Sequence, residues 1–290
     1  PPLDTLQPAG HYIRRPQFAK FFTYLHRWEP MTSGAVGQSD SFQIDGDADF
    51  HILKQAILAF PEAGGPAGGV TVTFRVSPIA ESYNVPEMFL SNLGSGQYPN
   101  RYDPPIVLPR NSVFQGLVSD RQLVAGAVTV FIAHFGAKVY RNPKEVARSY
   151  KRRKPFTYLA SFATAISDVG TSPTIPAGST AIATLRMGGE GDFDIQNLTL
   201  VSDAPVTVQI MTGDDQWFNR PIRGELLGGS RIQVPGAELV FSGSLPFYLP
   251  VRRLIPAAGY INVTVTNLDA VNANRVQLGF HGTRLYSQGV

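Results

Sequence analysis

The chain contains no cysteine, so no disulfide can staple it and no thiol can act as a nucleophile or a soft metal ligand. Charge is also scarce: Asp, Glu, Lys and Arg make up 16% of the 290 residues, against roughly a quarter in an ordinary soluble domain. Much of the surface must then be neutral and polar, or covered by partners, because a protein that lives alone keeps more charge for solubility. No apolar run approaches the roughly 18 residues a membrane-spanning helix needs, and the opening PPLDTLQPAG lacks the charged and apolar regions of a secretion signal. There is no H-E-x-x-H pair, G-x-S-x-G elbow, P-loop or dinucleotide fingerprint. The five histidines, His11, His26, His51, His134 and His281, show no short metal-ligand spacing, and strand or core roles are expected of His134 and His281. These absences point away from an enzyme and imply no cofactor and no metal.

Punctuation is abundant. The 28 glycines and 23 prolines are scattered between short Val, Ile, Thr and Phe runs, which marks turns between strands. Val70 to Val76 alternates as V-T-V-T-F-R-V and Tyr260 to Thr266 as Y-I-N-V-T-V-T, the period of two expected of half-buried strands. The expected fold is all-β, built from antiparallel sandwich or jelly-roll-like domains with little helix. Only Phe18 to Trp28 and Glu145 to Lys151 admit a helix, and the first suits an extended arm equally well.

The chain also repeats itself. Phe22-Thr23-Tyr24-Leu25 returns as Phe156-Thr157-Tyr158-Leu159, an offset of 134 (156 minus 22). Gly46 to Ile52 is echoed by Gly189 to Ile195, an offset of 143 (189 minus 46). Val70 to Phe74 matches Val206 to Ile210, Pro109 with its turn matches Pro256, and Phe135 to Tyr140 matches His281 to Tyr286. Five colinear matches predict two tandem modules related by duplication: an N-terminal arm over 1–19, a first sandwich over 20–142, a basic linker over 143–154 and a second sandwich over 155–290. Phe50 and Phe193 should then be equivalent buried positions.

Several stretches invite a functional reading. KEVARSYKRRK, residues 144–154, sets Lys144, Arg148, Lys151, Arg152, Arg153 and Lys154 against the single Glu145. As a charge run it reads first as a solvated connector, with contact to nucleic acid or an acidic neighbouring subunit as the functional option. Asp45-Gly46-Asp47-Ala48-Asp49 resembles the start of a calcium loop, but Phe50 stands where glycine is needed and Ala56 where a bidentate Glu is needed. It reads as a turn entering a strand. Trp217 and Phe218, in GDDQWFNR, could anchor an interface or stack on a saccharide, or fold back over their own core. The Pro-rich start, with Arg14 and Arg15, suits an arm laid on a neighbour.

The segments F-x-I-D-G-D-A-D-F (Phe42 to Phe50), P-I-V-L-P-R-N-S-V-F (Pro105 to Phe114) and V-x-L-x-F-H-G-T-R-L-Y (Val276 to Tyr286) resemble the β-sandwich structural proteins of bacteriophage particles. That resemblance implies a non-enzymatic virion component, such as a head-decoration, neck or collar protein. Its partners would be other virion subunits, its own copies among them. The tandem arrangement also resembles a double-jelly-roll major capsid protein. The second module departs from the pattern in carrying Gly188 where the first has Asp45. A pair of carbohydrate-binding modules is the reading from a different class. On this reading the candidate interface residues are Arg14, Arg15, Arg152, Arg153, Trp217 and Phe218.

Overall fold

A computed structural model describes residues 12–13, 19–32, 34–61, 70–78, 81–82, 87–93, 99–120, 127–140, 149–150, 152–162, 174–227, 230–232, 240–242 and 246–286. Among these residues there is no α-helix, only two short 3-10 turns at Leu90–Leu93 and Gly224–Leu227.

The first unit runs through β2 (Ala19–Met31), β3 (Gln38–Gln43), β4 (Ala48–Pro61), β5 (Val70–Ser77), the short β6 (Glu81–Ser82) and β7 (Met88–Phe89), β8 (Asn100–Leu108), β9 (Val113–Asp120) and β10 (Val128–Tyr140). The second runs through β12 (Arg152–Ser161), β13 (Thr180–Arg186), β14 (Asp192–Ser202), β15 (Val206–Thr212), β16 (Asp215–Gln216), β17 (Ile222–Arg223), the hairpin β18 (Ser230–Ile232) and β19 (Val240–Ser242), β20 (Phe247–Ile255), β21 (Tyr260–Asn267) and β22 (Val276–Tyr286). A two-residue ladder, β1 (Tyr12–Ile13) on β11 (Ser149–Tyr150), ties the start of the chain to the connection between the units.

In the first unit one sheet has the order β2-β10-β4-β8, and the facing sheet β3-β9-β5 with β6 and β7 on the far side of β5. The second unit repeats this as β12-β22-β14-β20 and β13-β21-β15 with β16 and β17. Taking each split strand as one, both units read 1-8-3-6 and 2-7-4-5 in chain order, which is the jelly-roll arrangement of two interleaved Greek keys. All named strand pairs are antiparallel. The match extends to detail, since β7 and β17 each lead straight into a 3-10 turn.

Side-chain registers coincide as well. Phe50 and Phe193 are both fully buried, each paired across the sheet with the basic residue of the closing strand, Lys138 and Arg284. Tyr24 meets Phe50 edge-on at 4.8 Å, and Tyr158 meets Phe193 at the same distance. In β4 a bulge at Leu53 lies opposite Gly136, and in β14 a bulge at Gln196 lies opposite Gly282. At each glycine a Cβ would stand 2.0 Å from a carbonyl oxygen, that of His51 or of Asp194, so the close approach of the bulge tolerates no side chain. The turns before β9 and β21 place Asn111 and Ala258 at φ near +60°. Asn tolerates that conformation and Ala does not.

The acidic turn does structural work. Asp45 pairs with Lys138, and the Asp49 carboxylate accepts a hydrogen bond from the Arg110 backbone N–H at 3.0 Å, joining the start of β4 to the turn before β9. In the second unit Asp192 accepts from the Ala257 N–H at 2.8 Å in the same way. Among the described residues no three His, Asp or Glu side chains converge as a metal site would require.

Three sequence expectations change. Phe18 to Trp28 is not a helix: its described part, from Ala19, is strand β2, whose residues from Phe21 to His26 are all buried, so the usual alternation is hidden. The connection over 143–154 is shorter than expected, because Arg152, Arg153 and Lys154 already belong to β12 and pair with β22. Residues 1–11 and 14–18 lie outside the described residues, while Tyr12–Ile13 of the expected arm pairs within the chain and Ala19 already belongs to β2.

Phe50→Ala and Phe193→Ala should each cost about 3 to 5 kcal/mol, measurable by denaturant unfolding, since each empties an equivalent core site. Ala258→Gly should stabilise the chain by about 0.5 to 1 kcal/mol by relieving the left-handed backbone at that turn.

Candidate functional site

A polar and aromatic assembly lies where the two units meet. Strand β2 is an edge strand of its sheet, and the segment Trp217 to Asn219 of the second unit runs parallel to its free edge. The Thr23 N–H donates to the Trp217 carbonyl at 3.0 Å, and the Asn219 N–H donates to the Thr23 carbonyl at 3.2 Å. The Asn219 side chain accepts from the Leu25 N–H at 2.8 Å. The second unit therefore closes an edge that would otherwise offer unpaired backbone groups.

Side chains seal the same contact. Phe21 meets Trp217 edge-on at 6.1 Å and Phe218 at 6.5 Å, while Phe135 packs on Phe247 at 4.8 Å. Arg253, buried on β20, donates to the Phe21 carbonyl at 2.8 Å, pairs with Asp215, and lies over the Trp217 ring. Lys54 of β4 donates to the Tyr248 carbonyl at 3.0 Å and sits over Phe247. Burial lowers its ammonium pKa to about 8, with Arg101 adding repulsion. Arg220 completes the rim by pairing with Asp40 at 3.1 Å.

Trp217 and Phe218, expected as a surface anchor or saccharide platform, are 0% exposed. They are an anchor within the chain, and neither can stack on a sugar or reach another subunit while the units stay together. Arg152 and Arg153 are exposed at the start of β12, next to Lys154 and Pro155. Strand β12 is the edge strand that corresponds to β2, and cationic side chains with a proline are a common means of keeping such an edge from pairing with another sheet. Arg14 and Arg15 lie outside the described residues.

The outer faces of the corresponding sheets differ as their surroundings require. In the first unit the covered face carries Phe21, Leu25, Phe131 and Phe135, all buried. The matching positions of the second unit hold Pro155, Leu159, Gln277 and His281, with Leu159 51% exposed. There His281 bridges Thr157 at 3.0 Å and Thr199 at 2.7 Å, and partial burial lowers its pKa. The outer face of β13, β21 and β15 is mostly a lattice of hydroxyls and amides, with Arg186 at one end, in which Thr180 meets Thr266 at 2.8 Å and Thr184 donates to Asn262 at 2.8 Å. Ile182 stands on it 69% exposed. This face accounts for part of the low charge of the sequence.

The inter-unit contact was illegible as such in the sequence. The apolar residues at Phe21, Leu25 and Phe135 alternate with equally apolar core residues, and of the matching positions only Gln277 and His281, the counterparts of Phe131 and Phe135, turn polar, so the sequence carried little to mark the face as covered.

No family model matches the chain, and no curated protein matches it. Among solved structures it is similar to the STIV MCP (7% identity, 90% of this chain and 96% of that one, TM-score 0.24). It is also similar to the VP2 subviral particle of infectious bursal disease virus (11% identity, 93% and 72%, TM-score 0.23). A third is the ANXUR1 extracellular domain from Arabidopsis thaliana (9% identity, 97% and 89%, TM-score 0.23). Scores this low carry no argument about function, which has to be made from the molecule's own features.

Trp217→Ala should cost about 3 to 5 kcal/mol and split thermal unfolding into two transitions, because it empties the centre of the contact through which the units melt together. Differential scanning calorimetry reads both effects.

Proposed function

We propose that this chain is a non-enzymatic structural subunit of a virus particle, of the bacteriophage kind that its sequence motifs resemble, and that it works through contacts between copies. The observation that carries the reading is the doubled jelly roll, two units of identical strand order joined in one chain by a buried contact. Jelly rolls serve as shell and binding modules, and a fused pair presents two of them in a set mutual orientation. Within a particle, that doubling favours a double-jelly-roll shell subunit over a decoration or collar protein. The hydroxyl-rich outer face of β13, β21 and β15, charged only at Arg186 on β13, supports the same reading, since a face with little charge can meet a neighbour while desolvating few ions. With Trp217 buried, the saccharide-binding alternative has lost the aromatic platform that suggested it.

The purified full chain, viewed by negative-stain electron microscopy and analytical ultracentrifugation at rising concentration, should form closed multi-subunit species. Deleting residues 1–11, which precede β1, should leave the circular dichroism spectrum unchanged and impair incorporation into particles. A chain that stays monomeric at all concentrations, alone and with the other components of its particle, would overturn the proposal.

A further inference from the structure

The first unit holds two histidines in contact at its centre. His26 on β2 and His134 on β10 are both 0% exposed, with His26 Nδ1 2.8 Å from His134 Nε2. Gln55 Nε2 on β4 lies 2.6 Å from His134 Nδ1, His26 Nε2 lies 3.3 Å from the Phe114 carbonyl, and the Tyr102 hydroxyl on β8 donates to Gln55 Oε1. One assignment satisfies every donor and acceptor. Tyr102 donates to Gln55, Gln55 to His134 Nδ1, His134 Nε2–H to His26 Nδ1, and His26 Nε2–H to Phe114. Both imidazoles are then neutral, and each has its proton on Nε2.

This chain of bonds has no place for a further proton unless Gln55 rearranges. A proton on His26 Nδ1 would face the N–H of His134. A proton on His134 Nδ1 would face the Gln55 amide, which could accept it only by turning over and reversing its bond to Tyr102. Rings rather than water surround His26, with Trp28 stacked at 5.4 Å and Phe42 at 4.5 Å, Phe114 at 5.5 Å and Phe74 at 6.0 Å, and the attraction of their faces for a cation offsets only part of the lost hydration. On β3, Asp40 favours the charged form, but it already pairs with Arg220 of the second unit, which opposes it. Lys54 on β4 is turned to the second unit, Lys138 on β10 is paired with Asp45, and Arg75 on β5 and Arg101 on β8 are exposed. The matching positions of the second unit are Ala160 and Phe280, so the jelly roll itself does not need a polar pair there.

We propose that the His26–His134 pair is an acid-triggered release, in which proton uptake breaks the buried bond chain, loosens β2 against β10 and frees the second unit from those strands. The coupling is geometric. The same two strands that carry the imidazoles inward carry Phe21, Leu25, Ala133 and Phe135 outward into the contact with the second unit. Burial holds both imidazoles below their ordinary pKa, and the neighbouring His26 lowers His134 further. The unfolded chain thus binds more protons than the folded one below the ordinary imidazole value of roughly 6.5, so stability is full above that value and falls as pH drops through it.

The chain has two tryptophans, Trp28 beside His26 and Trp217 in the inter-unit contact. In the full-length Trp28→Phe variant, Trp217 emission reports the contact alone. It should shift to the red, reversibly, as pH is lowered from 7 towards 4.5. Adding His134→Phe, which installs the residue found at the matching position of the second unit, should move that transition to lower pH by roughly one unit. An unmoved transition in a variant folded at pH 7 would overturn the proposal. Imidazole nitrogen resonances of the unmutated chain give a second reading that needs no variant. Two Nε2–H tautomers that persist until the Trp217 transition support the release, and free titration near 6.5 with Trp217 unchanged refutes it.

Discussion

Strand β2 is the element on which the rest of the molecule depends, because from Phe21 to His26 it is buried on both faces, and the second unit hydrogen-bonds to its free edge there. Phe22, Tyr24, His26 and Trp28 point into the first sandwich, while Phe21, Thr23 and Leu25 point into the second unit. The segment after β16 supplies hydrogen bonds to its open edge. A strand at a sheet edge normally needs protection by charge or proline. Here half of the molecule provides that protection, and the two jelly rolls share one apolar cluster as a result.

The corresponding strand β12 faces the opposite situation and solves it differently. Its outer face is exposed at Pro155, Thr157 and Leu159, and at its start the chain places Arg152, Arg153, Lys154 and Pro155. The basic stretch near the join is thus accounted for by edge protection as well as by linkage. A related exchange occurs at the closing strands. Lys138 lies 3.7 Å over Phe22 and pairs with Asp45, whereas Arg284 lies 4.1 Å over Phe156, is bonded to the Tyr158 hydroxyl, and fills the space opened by Gly188. A cation over the matching ring is kept while its anionic partner is replaced by a phenol. A longer guanidinium can reach that phenol, and a Cβ at Gly188 would meet its Nη2 at 2.8 Å.

The inter-unit contact and the buried histidine pair stand on opposite faces of the same strands, so the polarity of one core bears on the strength of the other. Polar groups in a core are costly unless every one is bonded, and a fully bonded chain specifies a single arrangement. The bonds running from Tyr102 to Phe114 do this for the first unit. The second unit keeps Ala160 and Phe280 at the matching positions, where only packing decides.

Much of this architecture was legible in the sequence, and the reason is local. Strand periodicity, turn residues, the acidic turn at Asp45 to Asp49 and the repeated Phe-Thr-Tyr-Leu segment follow from steric and hydrogen-bonding preferences that act over a few residues. Matching landmarks such as Gly136 and Gly282 therefore carried the two-unit reading without any coordinates. The destination of Trp217 and Phe218, the strand identity of Ala19 to Trp28 and the meeting of His26 with His134 and Gln55 could not be read that way. Each depends on residues about 80 to 200 positions apart being brought to one place. Sequence patterns report which side chains must be buried, but where a strand is buried on two faces the pattern vanishes, and only the packing of one jelly roll on the other decides which face meets which.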